Sequence, residues 1–593
     1  MLVGYLAIGV IAFWPMFPGS THRLFDQANG DPAQTVWFFA WTAHAVVTGH
    51  NPFFTAAVNV PLGFNLAQAP AMPLLGLLGL PVTLALGPVA SATMFMVAAM
   101  PLSAACAYAV LCCWRVWAPA AALGGVAYGF SPYMASQGLA HLNLVFVPLP
   151  PLIVAVLAKV LRGPRRPLRW GSALAALVVA QYLISSEILA ITAIISAAGI
   201  VIVTAYGFAR ARDDVRMVAR PAVAALGAAL ALIAAALAYP LWYQFAGPAH
   251  YVGPAWPVDN PYFADVLDFV APSPRQAVAP VLRQLGTTLS ASAGVESDAY
   301  VGFAVLAVVV FLVWRQRRSE RVQLVAGLGV ISGLLSMGRY LVVDGRGGKI
   351  PLPFDLLAHF PAIDNILPVR FAFTTTTCLA AVIAFGLDDL RTRHPDGSGG
   401  PHQPRHATAS PVASAFTIVS VVLVVTWLPK WPYASQTVTM LPRAVTNAIT
   451  GANPLVLTYP YTVAPEDQAY LWQAGARFSF RLLGAYGRMP GSDLRATYLP
   501  PLLGPPAVQQ FLVGEDGLRA YYPPSPPIKQ VVIQTRIFLA RHDVNAVLVN
   551  LDAPHGTNVA EMFTLALGQS SVTSGRFDLW TVQLSSAKSG QDG

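Results

Sequence analysis

The run ILAITAIISAAGIVIVTAYGF, residues 188–208, decides the class of fold. About 20 consecutive apolar residues in a helix are long enough to cross the hydrocarbon core of a bilayer. The whole chain has the same character, since 55% of its 593 residues are hydrophobic and 11% are charged, with a mean hydropathy of +0.56. Soluble domains carry about 25% charged residues. The sequence therefore predicts an integral membrane protein.

Apolar runs of similar length recur along the chain and predict eleven membrane-spanning helices. They lie near residues 2–16, 90–112, 118–134, 142–160, 170–185, 188–208, 221–241, 299–314, 322–340, 370–387 and 412–428. A further run at 71–87 is short and interrupted by proline. The run itself does not decide whether it crosses the bilayer. Because a twelfth span here would put most basic loops outside, we interpret it as a re-entrant or interfacial segment.

The basic residues predict the orientation of the spans, because cytoplasmic loops are enriched in Lys and Arg. With the N-terminus inside, the basic clusters at 159–169, 210–220 and 315–321 all face the cytoplasm. The net charge of +9 thus reflects topology and does not indicate a nucleic-acid partner. The same orientation puts the C-terminal tail and three long loops outside: 17–70, 242–298 and 341–369.

Two domains follow from this arrangement: a transmembrane domain over residues 1–428 and an extracytoplasmic α/β domain over residues 429–593. The tail contains four strand-like runs separated by turn residues. These are PLVLTYPY, FSFRLLGAYG, VNAVLVNLD and FDLWTVQL. The predicted fold class is an all-α polytopic membrane protein with a small α/β C-terminal domain.

The first outer loop carries two carboxylates, Asp26 and Asp31, just beyond the first span. Either could act as a general base toward a hydroxyl within hydrogen-bond reach. Asp31-Pro32 is also a pattern that begins helices, because an aspartate caps free N–H groups and proline is tolerated in the first turn. Asp31 is therefore open to a capping role as well as a catalytic one.

The helix after Asp31 places four side chains on one face by three- and four-residue spacing. They are Gln34, Trp37, Trp41 and His44. One interpretation is that Gln34, Trp37 and His44 contact substrate. The other is that the helix lies at the bilayer surface with its tryptophans as an anchor.

Further ionisable residues are expected near the outer face. Glu187 begins the sixth span, where a carboxylate in an apolar run needs a partner or a polar cavity. It either contacts substrate or pairs with a nearby cation. His141 at the fourth span and Asp259 in the second outer loop are candidates for substrate contact, although His141 also suits a satisfied interfacial position.

The third outer segment is rich in cations, which we interpret as ligands for a lipid-linked phosphate. The alternative is pairing with lipid headgroups. The residues concerned are Arg339, Arg346, Lys349 and Arg370.

Three stretches together resemble bacterial membrane proteins of the GT-C glycosyltransferase superfamily, including the YfhO-like group. They are GDPAQTVWFFAWTAHAVVTGHNPFF, YGFSPYMASQGLAHLNL and IPLPFDLLAHFPAIDNILPVRFAF. The resemblance implies a polyprenyl-phosphate sugar donor and an essential acid in the first outer loop, a role that falls on Asp31 or Asp26. No close acidic pair or donor signature selects between them.

The resemblance implies a hexosyl or pentosyl transferase of the bacterial cytoplasmic membrane, acting on a glycan, lipid or protein acceptor of the cell envelope. No ligand constellation demands a metal, so a divalent ion is left open. Two other classes stay open: a non-catalytic envelope assembly factor and a lipid or solute transporter. A transporter would usually show internal repeats, and none is evident.

Overall fold

The computed structural model describes residues 1–25, 31–210, 212–255, 262–279, 299–360, 363–393, 411–463, 466–498, 507–516 and 526–582. The predicted site residues Asp26 and Asp259 lie outside these ranges.

Helices account for most of the described chain, as the apolar runs predict. In chain order they are α1 Leu2–Ala12, α2 Asp31–Thr48, α3 Pro73–Leu78, α4 Leu80–Leu86, α5 Pro88–Cys113, α6 Ala118–Gly129, α7 Pro132–Gln137, α8 Leu142–Val145, α9 Leu149–Leu161, α10 Pro167–Tyr182, α11 Ser186–Arg210, α12 Arg212–Ala246, α13 Phe303–Arg315, α14 Glu320–Ser336, α15 Pro353–Leu357, α16 Ala372–Arg393, α17 Pro411–Trp427, α18 Arg443–Ala448, α19 Gln468–Gly475, α20 Ala507–Glu515, α21 Ile528–Arg541 and α22 Gly556–Leu567.

The strands are short and lie mainly outside the apolar part. They are β1 Arg23–Phe25, β2 Phe54–Thr55, β3 Phe64–Asn65, β4 Tyr340–Val343, β5 Arg346–Pro351, β6 Ser435–Thr437, β7 Leu455–Tyr459, β8 Arg481–Leu482, β9 Met489–Pro490, β10 Ala496–Thr497, β11 Ala546–Asn550, β12 Val572–Ser574 and β13 Phe577–Thr581.

Five helical segments among the described residues are long and apolar enough to cross a membrane. They are Pro88–Cys113, Leu142–Leu161, Ser186–Gly207, Met217–Ala246 and Pro368–Thr392. Three shorter apolar helices, α1, α13 and α17, also coincide with predicted spans. The chain is thus a multi-pass helical membrane protein, and the count of eleven spans stays a prediction.

The segment predicted not to cross the bilayer folds as two short helices, α3 and α4, separated by Gly79. At 1.5 Å per residue, each is about 10 Å long, against a hydrocarbon core of about 30 Å. Neither helix can therefore span the bilayer alone.

The chain divides into two compact units. The first contains residues 1–18, 94–238 and 256–434, and the second contains residues 19–93, 239–255 and 435–593. The first outer loop therefore groups with the tail. The predicted boundary at 428/429 separates membrane-spanning from extracytoplasmic residues, which is a different division from that into compact units. It stays a prediction.

Small residues allow close helix packing within the first unit. Gly125 on α6 faces α1, and a Cβ there would lie 2.5 Å from the Tyr5 hydroxyl oxygen. That hydroxyl donates to the carbonyl oxygen of Ala122 at 2.9 Å. In lipid the hydrophobic effect does not drive helices together, so they commonly associate by close packing through small residues such as glycine.

A five-stranded sheet forms the core of the second unit, in the order β12-β13-β11-β7-β8. Strands β11, β7 and β8 are parallel, and β13 and β12 are antiparallel. Each of the four strand-like runs of the tail contains one strand of this sheet. Helices α20, α21 and α22 contribute buried apolar residues to the same core, including Phe511, Phe538 and Phe563.

A second contact between distant segments of this unit is the antiparallel pair of β1 and β6, with Leu24 opposite Gln436. The start of the first outer loop is thereby hydrogen-bonded to the start of the tail. This pairing explains why the loop belongs to the same unit as the C-terminal sheet.

We predict that the loop between α13 and α14 and the turn between β9 and β10 lie on opposite sides of the membrane. In a variant whose four cysteines are replaced, Ser492→Cys should react with an impermeant maleimide in intact cells. Ser319→Cys should react only after permeabilisation, because basic loops stay in the cytoplasm. Labelling of both positions in intact cells would refute the predicted topology.

Candidate functional site

Helix α2 is embedded in the second unit along most of its length. Trp37 is fully buried, and Trp41 is 4% exposed. The indole N–H of Trp37 donates to the side-chain oxygen of Gln473 at 2.7 Å, and its ring stacks on Tyr470 with centroids 4.8 Å apart. The tryptophans therefore pack against protein, and their predicted role as a bilayer anchor is wrong.

Helix α2 begins at Asp31, as the Asp-Pro pattern predicts. The half-buried Asp31 carboxylate accepts a hydrogen bond of 2.6 Å from the hydroxyl of Tyr486. That phenol is itself held in place. The carbonyl oxygen of Tyr486 accepts from the Gln34 side chain at 2.8 Å, and its N–H donates to the Tyr470 hydroxyl at 2.9 Å.

A second carboxylate, Asp467, lies beside this helix end. It is 5% exposed, and the backbone N–H of Gln34 donates to it. Burial, followed by the negative charge of Asp31, raises the pKa of Asp467 well above its ordinary value. Its Oδ2 atom is buried and has no hydrogen-bond partner among the described residues. The protonated form of Asp467 is therefore favoured.

Asp31, Tyr486 and Asp467 form what we call the carboxylate site. The N-terminus of a helix favours nearby negative charge, because its first N–H groups carry a partial positive charge. Two carboxyl groups in different environments, one buried and one accessible, commonly divide acid and base roles. The arrangement can accept a proton at Asp31, where the phenol of Tyr486 orients the carboxylate.

The other two candidates on α2 take different positions. Gln34 is buried and bonded to Tyr486, so it supports the carboxylate site. His44 lies about 20 Å along the helix axis from Asp31. Its ring stacks with that of His50 at 5.6 Å between centroids and meets the Phe478 ring at a tilt, with centroids 4.8 Å apart. The substrate contacts predicted for Gln34, Trp37 and His44 stay predictions.

In the first unit, Glu187 forms an ion pair with Arg370. The backbone N–H of Leu367 donates to the same carboxylate at 3.2 Å. Both side chains are largely buried, with 14% of Arg370 and 18% of Glu187 exposed. Glu187 thus has the cationic partner that an acid in an apolar run requires.

The remaining predicted cations have separate surroundings. Arg339 pairs with Asp355 at 2.7 Å. Arg346 and Lys349 lie on the exposed strand β5. The turn of that hairpin is fixed by the buried Asp265, which accepts the backbone N–H groups of Asp344 and Gly345.

His141 is half-buried just before α8, where its ring contacts the side-chain oxygen of Gln137. This agrees with a satisfied histidine, and its contact with substrate stays a prediction. Among the residues that the structure describes, no group of three or more His, Cys, Asp or Glu side chains could hold a metal ion.

Sequence analysis missed Asp467 and Tyr486, because each lies more than 430 residues after Asp31. The only local signal was the polar step Glu466-Asp467-Gln468 before an apolar helix. That pattern also suits an ordinary helix start.

No protein-family model matches the sequence, and no curated protein matches it. The fold is similar to that of the arabinofuranosyltransferase AftD from Mycobacteria. The TM-score is 0.50 at 11% identity, over 98% of this chain and 40% of AftD. The archaeal oligosaccharyltransferase AglB from Archaeoglobus fulgidus, in complex with an inhibitory peptide and a dolichol-phosphate, gives a TM-score of 0.49 at 11% identity, over 98% of this chain and 74% of AglB.

The chain spans about 40% of the length of AftD. At this level of identity the likeness concerns the fold alone. The fold of the chain is thus like that of AftD, in agreement with its sequence resemblance to the GT-C superfamily.

We predict that Asp467 makes stability depend on pH. A carboxyl group whose pKa is raised in the folded state stabilises that state below its unfolded pKa of about 4, and this contribution is lost as pH rises through the folded value. The Tm of the wild-type protein in detergent should fall between pH 5 and 8, and that of Asp467→Asn should fall less. The exposed Asp543→Asn variant is the control. Parallel curves for wild type and Asp467→Asn would contradict the buried, protonated Asp467.

Proposed function

We propose that this chain is an integral membrane glycosyltransferase. It moves a sugar from a polyprenyl-phosphate-linked donor to a glycan, lipid or protein acceptor of the cell envelope, on the extracytoplasmic face. The observation that carries the proposal is the hydrogen bond from Tyr486 to Asp31 beside the buried Asp467. The similarity of fold to AftD, an arabinofuranosyltransferase, supports sugar transfer as the reaction class.

For a hydroxyl acceptor, the reaction is a single displacement at the anomeric carbon. Asp31 takes the proton from the hydroxyl as its oxygen bonds to that carbon. The bond from the anomeric carbon to the phosphate oxygen breaks, and its electron pair leaves with the lipid phosphate. This inverts the anomeric centre. A retaining course would need a carboxylate nucleophile placed for a covalent intermediate.

Asp467 and Tyr486 serve this step in different ways. A protonated Asp467 adds no second negative charge beside Asp31, so an anionic donor meets less repulsion. The Tyr486 phenol donates to one oxygen of Asp31. We propose that Asp31 takes up the acceptor proton in this orientation.

Cations are required to stabilise the leaving phosphate. Arg346 and Lys349 are the predicted cations with exposed side chains, on β5. Arg370 and Arg339 are each bonded to a carboxylate, so a phosphate would have to share them with Glu187 and Asp355. All four stay proposals. Glu187, as the partner of Arg370, would position that guanidinium.

The location that we propose for the site, at the outer membrane surface, suits a lipid-linked donor. A polyprenyl donor brings its phosphate to the membrane surface, where the first outer loop begins after one span. We place the protein in the bacterial cytoplasmic membrane with the carboxylate site outside. The acceptor is a glycan, lipid or protein of the envelope.

We predict that Asp31→Asn abolishes transfer while the protein keeps its level and Tm. Asparagine preserves the size of the side chain but cannot take up the acceptor proton, so the rate should fall by about 10²- to 10⁴-fold. The measurement is transfer from a panel of radiolabelled polyprenyl-phosphate sugars in membranes. Glu561→Gln, an exposed carboxylate-to-amide change on α22, is the matched control.

Asp26→Asn belongs in the same experiment. Loss of transfer in Asp26→Asn together with full transfer in Asp31→Asn would move the base to Asp26. Full transfer in both variants would refute a carboxylate base in this loop. If cells that carry Asp31→Asn assemble a normal envelope, the protein is better explained as a non-catalytic assembly factor.

A further inference from the structure

Arg488 stands at the open end of a small hairpin in the second unit. Strands β9 and β10 pair with Met489 opposite Thr497. The next cross-strand neighbours are Arg488 and Tyr498, and the guanidinium of Arg488 lies 4.5 Å from the centre of the Tyr498 ring. Contact with an aromatic face orients a guanidinium.

The hairpin begins only a few residues after Tyr486 of the carboxylate site. Arg488 follows Tyr486 by two residues, with Gly487 between them at φ +144°. A Cβ on Gly487 would lie 2.6 Å from the Phe64 ring. Only glycine suits this backbone and this close approach. The path of the chain therefore fixes how Arg488 stands relative to Tyr486 and Asp31.

Tyr498 links the two groups electrostatically. It lies close enough to Tyr486 to contribute, after burial and Asp31, to the raised pKa of that phenol. Tyr498 also influences Tyr251. Burial raises the pKa of the Tyr251 hydroxyl, the charge of Arg488 lowers it, and Tyr498 adds a smaller rise. The bond from Tyr486 to Asp31 and the contact of Arg488 with Tyr498 thus involve residues only two positions apart in the chain.

Tyr251 is held in place from two sides. Its N–H donates to the Gln68 side-chain oxygen and its carbonyl oxygen accepts from the Gln68 amide, both at 3.0 Å. The N–H of Val252 donates to the carbonyl oxygen of Leu494 in the hairpin turn at 2.8 Å. The segment before Trp256 therefore joins the first outer loop to the hairpin.

The carboxylate of Asp31 repels an anionic ligand, so a cation nearby would favour the binding of a phosphodiester. Burial raises the pKa values of Asp467 and Glu466, which favours their neutral forms and keeps that repulsion small. A guanidinium and two phenolic hydroxyls offer the donors that phosphate oxygens accept.

We propose that Arg488, with the hydroxyls of Tyr498 and Tyr251, binds the phosphate of the lipid-linked donor beside Asp31. This inference rests on the proposed function and assigns the phosphate subsite to the C-terminal hairpin. As the bond between the anomeric carbon and oxygen breaks, the phosphodiester with one negative charge becomes a monoester with two. Arg488 would stabilise the charge that develops on the leaving oxygen.

The test is the binding of farnesyl phosphate to the purified full-length chain in nanodiscs. Arg488→Gln should raise the Kd by about tenfold or more, since the charged bidentate donor is lost. Arg488→Lys keeps the charge without the fork and should weaken binding less. Arg495→Gln, whose side chain is 83% exposed on the same hairpin, is the matched control. Farnesol and inorganic phosphate separate the contribution of the lipid chain from that of the phosphate.

An unchanged Kd in a folded Arg488→Gln protein would overturn the assignment, as would wild-type protein that binds farnesol as tightly as farnesyl phosphate. Should Arg488→Gln fail to fold, an unchanged Kd in Arg488→Lys would overturn the bidentate role. The Kd of Arg370→Gln, measured in parallel, shows whether Arg370, the earlier candidate, binds the phosphate instead. Transfer by Asp31→Asn is a separate readout, so the phosphate subsite and the proposed function can fail independently.

Discussion

The burial of helix α2 in the same unit as the C-terminal sheet is the constraint on which the candidate site depends. The hydrogen bond from Trp37 to Gln473 lies in its core, and the Gln473 amide also donates to the carbonyl oxygens of Ala57 and Phe480. Every polar atom of that buried amide is therefore satisfied, as burial in an apolar core requires. Helix α2 is fixed in rotation and register, and its first residue, Asp31, meets Tyr486.

The electrostatics of the site follow from that placement. The N-terminus of a helix favours one nearby carboxylate. Here the helix carries Asp31 at its first position, and Asp467 from the tail lies beside it. Burial and the charge of Asp31 raise the pKa of the more deeply buried Asp467, which favours its neutral form and lessens the conflict. The tail is thus part of the chemistry that we propose and not an appended module. The carboxylate site joins the first outer loop to the tail.

Local patterns could be predicted from the sequence, and distant partners could not. Each predicted span contains a helix because apolar length is a local property, and α2 begins at Asp31 because the Asp-Pro step is local as well. For Trp37 the sequence left substrate contact and a bilayer anchor open, and the fully buried indole excludes the anchor. Asp467, Tyr486 and Arg488 could not be connected with Asp31, because nothing in one sequence specifies which of many tail residues folds against that loop.

The most direct test of the central claim is the transfer rate of Tyr486→Phe at matched protein level. Phenylalanine keeps the ring in its buried position and removes only the hydroxyl that donates to Asp31. If Asp31 is the base and this phenol orients it, the rate should fall by about tenfold, with donor binding and Tm nearly unchanged. A rate equal to that of the wild-type protein would show that the contact between Tyr486 and Asp31 is structural, and would contradict the assignment of the carboxylate site as the catalytic centre.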